Sequence, residues 1–161
     1  MKRIYSLAGI VAVICSLSVV TSAQKKEERT AAGSQSSPVE YQSASNPNAR
    51  TLSEFVRVGN ILYLSGKLGT DSTNKLAAGG IGPETKQTLE NIKAVLEKNG
   101  SSMDNVIKCT VMLADIKEWA DMNAVYVTFF KKERLPARSA FGTSGLVNNA
   151  RVEIECMATL K

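Results

Sequence analysis

The feature that most constrains the fold is the strict alternation of residue types near the carboxyl terminus. Glu153 and Glu155 are flanked at every second position by small or apolar residues, namely Val152, Ile154, Cys156 and Ala158. Because successive side chains of a β-strand point to opposite faces, this strand buries one face and presents carboxylates on the other. It therefore belongs to a sheet covered on one side, and the alternation alone makes Glu153 a solvated strand residue.

Upstream, the spacing of apolar residues alternates between strand and helix periods. Apolar runs on both sides of Gly59 and Asn60 predict a β-hairpin with a two-residue turn. A helix that begins at Pro83 and stops at Asn99 follows, and then a continuous β-prone run over residues 106–113. With a second helix and two final strands, the order is β-β-α-β-α-β-β. This order predicts an α+β fold, with a mixed sheet and two helices on one face.

The second helix is predicted to begin at a capping pair formed by Asp115 and Glu118. It presents four large apolar residues at spacings of three and four: Trp119, Met122, Tyr126 and Phe129. Such a stripe is typical of a helix face that packs into a core. We therefore interpret it as core packing rather than as part of a cofactor site.

The amino terminus has the composition of an export signal. Lys2 and Arg3 precede an apolar run, and small residues lead up to Ala23, where a signal peptidase could cleave. An uncleaved membrane anchor is the alternative, but the run is short for crossing a bilayer. We predict a cleaved signal peptide over residues 1–23 and a periplasmic or secreted protein that has no membrane contact after cleavage.

The rest of the chain divides into a linker and one domain. Residues 24–48 are rich in polar and small residues and contain almost no large apolar side chains. Such a segment cannot bury enough surface to offset its ordering entropy, so we predict a flexible linker. A short edge strand could nevertheless start at Val39. Residues 49–161 form the predicted domain.

The composition excludes several classes of enzyme. The chain of 161 residues contains no histidine, so neither a Ser-His-Asp nor a Cys-His nucleophile system can be assembled, nor a zinc site that uses histidine. Loss of Lys2 and Arg3 with the signal would lower the formal net charge from +5 to +3. An excess that small, without a basic stripe, gives no reason to expect nucleic acid as a partner.

Two cysteines would remain in the exported domain. Cys109 and Cys156 both lie in strongly apolar stretches. They could form a disulfide in an oxidising compartment, but two buried strand thiols are the more frequent outcome, and we expect free thiols.

Arg138 is the candidate for binding a substrate carboxylate. It follows Pro136 at the entrance to a predicted strand, where the backbone is held, and a guanidinium can bind a carboxylate bidentately. Taken alone, it is a surface ion-pairing residue. If the last two strands lie near each other, however, Arg138 and Glu153 could face one pocket.

The order of short motifs resembles that of the Rid family, also called YjgF. Seven colinear segments carry the resemblance, which extends from about Val39 to Lys161: Arg57-Val58-Gly59-Asn60, Leu64-Ser65-Gly66, Thr110-Val111, Asn123-Ala124-Val125-Tyr126, Phe129-Phe130, Pro136-Ala137-Arg138-Ser139 and Val152-Glu153-Ile154-Glu155. Several colinear motifs are more specific than any one of them.

The resemblance implies a chorismate-mutase-like fold, a homotrimer with pockets between subunits, and hydrolysis of enamine or imine intermediates to 2-oxo acids and ammonia. No metal or cofactor is implied. By the same resemblance, Arg138 binds the substrate carboxylate and Glu153 positions or activates water. Ser65 and Asn123 line the pocket, and the main chain at Ala140 contacts the imine nitrogen.

Two residues depart from the family pattern. Leu52 stands where the family often has an aromatic residue lining the pocket, and Ala140 replaces a common cysteine. Export also separates the chain from the usual cytoplasmic sources of imines. The alternative is therefore a non-enzymatic protein that binds small carboxylates, or a chaperone-like member. Endoribonuclease activity, ascribed to some relatives, fits poorly with the small net charge.

Overall fold

The computed structural model describes residues 37–43 and 51–161. The predicted signal peptide and most of the predicted linker lie outside the described residues. The described part contains seven strands and two α-helices: β1 Val39–Ser43, β2 Ser53–Val58, β3 Ile61–Leu64, β4 Lys67–Leu68, α1 Ile81–Lys98, β5 Val106–Leu113, α2 Trp119–Tyr126, β6 Ala137–Gly142 and β7 Val152–Thr159. Neither helix in this part is long and apolar enough to cross a membrane.

The strands form one sheet in the order β1-β2-β3-β7-β5-β6, and the short strand β4 also pairs with β7. Every pair is antiparallel except β5–β6, which is parallel. A parallel pair needs a long crossover, and the chain segment containing α2 provides it. The prediction of an α+β fold with a mixed sheet and two helices is confirmed.

The predicted hairpin is present between β2 and β3. Val58 pairs with Ile61 across a two-residue turn, and Gly59 has a φ of 59°. This left-handed backbone conformation is one that glycine adopts without the steric penalty of a β-carbon. The turn fixes the register so that Phe55 and Leu64 are paired.

The core lies between the two helices and one face of the sheet. The small or apolar residues that alternate along β7 are at most 2% exposed, as the sequence predicted. From α1, five apolar residues enter the same cluster: Ile81, Leu89, Ile92, Val95 and Leu96. Pro83 lies in the first turn of α1, where a backbone N–H has no helical partner, so its ring does not break the helix.

The expectation of two free thiols is wrong. Cys109 in β5 lies directly opposite Cys156 in β7, with 4.3 Å between their Cα atoms, and the two sulfurs form a disulfide. The burial of both residues could be predicted from their apolar neighbours. Their pairing depends on the register of two strands that are far apart in sequence, which the residue pattern does not contain.

The interpretation of the aromatic stripe on the second helix is wrong in part. Met122 and Tyr126 are buried in the core, but 39% of the surface of Trp119 is exposed. Asp115 caps a short 3-10 turn, Ile116–Glu118, which precedes α2. Phe129 lies beyond α2 in the 3-10 turn Val127–Phe129 and packs against the core. Trp119 instead lies near Arg138, whose guanidinium carbon is 5.5 Å from the centre of its ring.

Candidate functional site

Arg138 is held by three residues of α2. Its Nη1 donates a 2.7 Å hydrogen bond to Oδ1 of Asn123. The carbon of the guanidinium lies 4.5 Å from the centre of the Tyr126 ring and 5.5 Å from the centre of the Trp119 ring. We call Arg138, Asn123, Trp119 and Tyr126 the arginine group. Both distances fall within the range of cation–π attraction.

The arginine group carries a positive charge that no described acidic side chain neutralises. Arg138 is half-buried, and among the described residues no carboxylate lies within ion-pairing distance of it. Burial raises the pKa of Tyr126 to about 12, against a smaller opposite effect of the Arg138 charge, so the phenol stays neutral near pH 7. The group is therefore a cation surrounded by neutral partners.

Ala140 lies two residues beyond Arg138 on β6. It pairs with Val111 of β5 and packs against the core. Since β6 is the last strand in the sheet order, the other edge of its backbone has no partner strand within the described part of the chain. Main-chain groups near Ala140 could thus serve a ligand or another chain.

Glu153 packs closely against the backbone of a glycine. It lies on β7 between the buried residues Val152 and Ile154, so its side chain points to the face of the sheet opposite the helices. Its carboxylate lies so close to Gly66 that a β-carbon at position 66 would overlap with Oε1. Only glycine at position 66 allows this arrangement.

Ser65 precedes Gly66 in the chain and links this contact to the start of β2. Ser65 donates its hydroxyl hydrogen to the carbonyl oxygen of Ser53, at 2.6 Å, and so ties the end of β3 to the start of β2. Leu52 immediately precedes Ser53, and 57% of its surface is exposed. We call Glu153, Gly66, Ser65 and Leu52 the glutamate group.

A buried carboxylate on α1 fixes the start of β7. Glu84 is 3% exposed, and its Oε1 accepts hydrogen bonds from the backbone N–H groups of Arg151 and Val152, at 2.7 and 3.2 Å. Two such bonds satisfy donors that would otherwise be unpaired at the strand entrance. Glu84 thereby fixes the backbone immediately before Glu153.

The two groups do not meet within one chain. Arg138 is paired in register with Cys109, which points into the core, whereas Glu153 points to the other face. Moreover, β6 and β7 are separated by β5 rather than adjacent. The hypothesis that both side chains face one pocket fails for a single chain, because periodicity gives the face of each residue but not the order of the strands.

Sequence reasoning missed Trp119, Tyr126 and Gly66 as parts of these groups. Trp119, Asn123 and Tyr126 recur at spacings of four and three, so a shared helix face was predictable, but not its contact with Arg138. Gly66 belongs to the motif Leu64-Ser65-Gly66, but the resemblance to the family assigned it no role. Among the described residues, no cluster of three or more potential metal-ligating side chains is present.

Comparison with known proteins identifies the family. The family model described as endoribonuclease L-PSP matches residues 43–160. The 2-iminobutanoate/2-iminopropanoate deaminases of Mus musculus and Homo sapiens are 40% and 39% identical over 107 residues. These alignments cover 66% of this chain and 78% and 77% of the two relatives.

Solved structures agree with this result. A crystal structure of RidA from the Antarctic bacterium Psychrobacter superposes with a TM-score of 0.66 and 36% identity, over 74% of this chain and 94% of the other. Yeast Mmf1 superposes with a TM-score of 0.70 and 32% identity, over 77% and 100%. The chain belongs to the YjgF/Rid family, whose model carries the name endoribonuclease L-PSP.

Proposed function

We propose that this protein hydrolyses imines of small 2-amino acids, of the 2-iminopropanoate and 2-iminobutanoate type, to 2-oxo acids and ammonia. The observation that carries the proposal is the half-buried guanidinium of Arg138, which neutral groups hold and no described carboxylate neutralises. A substrate carboxylate is the natural partner for such a fork of donors. The names of the mouse and human relatives support the same substrate class.

In the proposed reaction, Arg138 binds the carboxylate and Glu153 acts as the general base. Glu153 takes a proton from water as the water oxygen bonds to the imine carbon, and the C=N electron pair moves to nitrogen. The carboxylic acid of Glu153 then protonates the amine of this intermediate. The C–N bond breaks and ammonia leaves as the C=O bond of the 2-oxo acid forms, and the hydroxyl gives its proton to the Glu153 carboxylate, which passes it to ammonia. A protonated imine is electrophilic enough for one base and one anchor to suffice.

The opposite placement of Arg138 and Glu153 favours a site shared between subunits. A glutamate group from one chain would have to face the arginine group of another, and closed rotational symmetry would repeat this contact in every subunit. We therefore propose a homotrimer with three such sites, in which Asn123 and Ala140 line the pocket from one side and Ser65 and Leu52 from the other.

The proposal is tested by generating imines with an amino-acid oxidase and following ammonia release or imine trapping. The wild-type protein should accelerate imine loss, and Arg138→Ala and Glu153→Gln should each remove most of the acceleration. Equal clearance by the wild-type protein and both variants would contradict the mechanism. Size measurement by light scattering tests the trimer separately, since a monomer alone would leave the two groups apart.

A non-enzymatic carboxylate-binding role is the second candidate, and Leu52 favours it. This exposed side chain offers no hydrogen-bond donor or acceptor where many relatives are expected to have an aromatic residue. Titration with 2-oxobutanoate separates the two functions. Binding that depends on Arg138, with no turnover across a panel of imines, would support this candidate against the enzyme.

We further propose that the domain is exported, as the composition of residues 1–23 indicates. The disulfide between Cys109 and Cys156 supports this, because oxidising compartments outside the cytoplasm preserve such bonds. Amino-terminal sequencing of the protein recovered from the host cell envelope or medium should begin at Gln24. Recovery of the intact amino terminus from the cytoplasm would contradict export.

A further inference from the structure

The contacts of Arg138 come from a single face of one helix. Trp119, Asn123 and Tyr126 are separated by four and three residues in α2, a spacing that aligns side chains along a helix. Asn123 receives one hydrogen bond from Nη1, while the two rings lie near the guanidinium. One face of α2 therefore supplies all three of these contacts to the guanidinium.

The partners of Arg138 differ in charge from those of two other arginines in the domain. Arg151 forms a bidentate ion pair with Glu118, and Arg57 lies 3.6 Å from a carboxylate oxygen of Glu40. Arg138 instead meets an amide oxygen and two neutral rings. A carboxylate partner would compete with an incoming carboxylate, whereas an amide and the faces of aromatic rings hold the guanidinium and leave its full charge available.

We infer that Trp119 and Tyr126 are positioning residues that hold Arg138 as a pre-formed carboxylate receptor without neutralising its charge. The inference rests on the proposed function, because it specifies how the anchoring residue of that site is prepared. Because the Arg138 side chain is already held in place, less of its conformational entropy is lost when the ligand binds. It should therefore act on the affinity for carboxylates and on KM, and leave kcat nearly unchanged.

The ring of Tyr126, rather than its hydroxyl, performs this role. The hydroxyl oxygen is buried and has no hydrogen-bond partner among the described residues. The ring lies near both Arg138 and Phe130, whose ring centre is 4.8 Å away. Tyr126→Phe keeps the aromatic face and removes only the unpartnered oxygen, so it is the matched control for the loss of the ring.

The test measures 2-oxobutanoate binding by calorimetry and imine turnover for the purified protein. Trp119→Leu should weaken binding and raise KM about tenfold, with kcat within twofold of wild type. The melting temperature of each variant is measured alongside, so that a loss of affinity in a folded protein is distinguished from unfolding. Trp119→Phe and Tyr126→Phe should both retain wild-type affinity. Val127→Ala, which truncates a similarly exposed residue just beyond α2, controls for the loss of apolar surface.

A positioning residue must also act through Arg138. Adding Trp119→Leu to Arg138→Ala should change the residual kcat/KM by less than about twofold, since nothing remains to be positioned. Wild-type affinity in Trp119→Leu, or an undiminished effect in the Arg138→Ala background, would overturn the inference. If Arg138→Ala itself binds 2-oxobutanoate like wild type, the proposed function fails instead, so the two failures are distinguishable.

Discussion

The arginine group and the glutamate group are held in place by different means. Side chains hold Arg138: an amide accepts one of its hydrogens, and two rings lie within 4.5 and 5.5 Å of the guanidinium carbon. Glu153 instead lies against the backbone of Gly66, where its carboxylate occupies the space that a β-carbon at position 66 would fill. The contacts that orient Arg138 are thus all within one chain, whereas the Glu153 carboxylate has no ion-pair partner among the described residues.

The difference predicts which steps each group controls. Side chains that orient a cation should affect affinity, while a carboxylate that acts as the general base should affect the chemical step. Substitutions in the two groups should therefore separate into effects on KM and effects on kcat.

The largest effect is expected from Glu153→Gln. The amide keeps the size of the side chain but cannot accept a proton from water, so kcat should fall by about 10³ while KM stays near wild type. Ammonia release at saturating imine measures this. The control is Glu155→Gln, on the same strand and the same face, which should keep full activity. A tenfold rise in KM without loss of kcat would place Glu153 in binding rather than in catalysis.

Reduction of the Cys109–Cys156 disulfide should have the next largest effect, on stability. The bond links β5 to β7 and closes a loop across a sequence separation of 47, so its loss should lower the free energy of unfolding by about 3 kcal/mol. Urea titration of the oxidised and reduced protein measures the difference. Below the melting temperature, kcat and KM should be unchanged, because the bond belongs to neither group. Two reactive thiols in the unfolded, non-reduced protein would contradict the pairing.

Gly66→Ala should lower kcat about tenfold, since the added β-carbon forces the Glu153 carboxylate out of position. The backbone at Gly66 does not have a positive φ, so alanine should not strain the turn itself. Gly82→Ala in α1 is the matched control, because a β-carbon there would meet its nearest neighbour at 3.8 Å. Equal activity of the two variants would show that Glu153 does not depend on the contact with Gly66.

The last prediction concerns the stability of the protein at alkaline pH. The pKa of Tyr126 is raised from 10.0 to about 12 by burial, so the folded state retains the phenol proton over a range in which the unfolded chain loses it. Stability from this residue is complete below pH 10 and should decline as the pH rises towards 12. Urea titrations across this range should show a decline that is shallower in Tyr126→Phe. An identical pH dependence in both proteins would remove Tyr126 as its cause.

The sequence allowed much of the fold to be predicted and only part of the site. The alternation in β7 correctly gave the buried face, and the Gly59-Asn60 turn correctly gave the β2–β3 hairpin, because both patterns depend on neighbouring residues. The disulfide and the separation of β6 from β7 depend on strand order and register. The contacts of Arg138 with Trp119 and of Glu153 with Gly66 depend on how distant segments pack, so no local pattern contains them.

The most direct test of the shared site is complementation between two inactive variants. Arg138→Ala and Glu153→Gln are co-expressed with different affinity tags, and mixed oligomers are isolated with both tags. In a trimer whose sites combine the arginine group of one chain with the glutamate group of the next, each mixed oligomer has about one intact site in three. The account predicts about one third of wild-type activity in the mixed oligomers and almost none in either variant alone. Mixed oligomers as inactive as the single variants would contradict a site shared between chains.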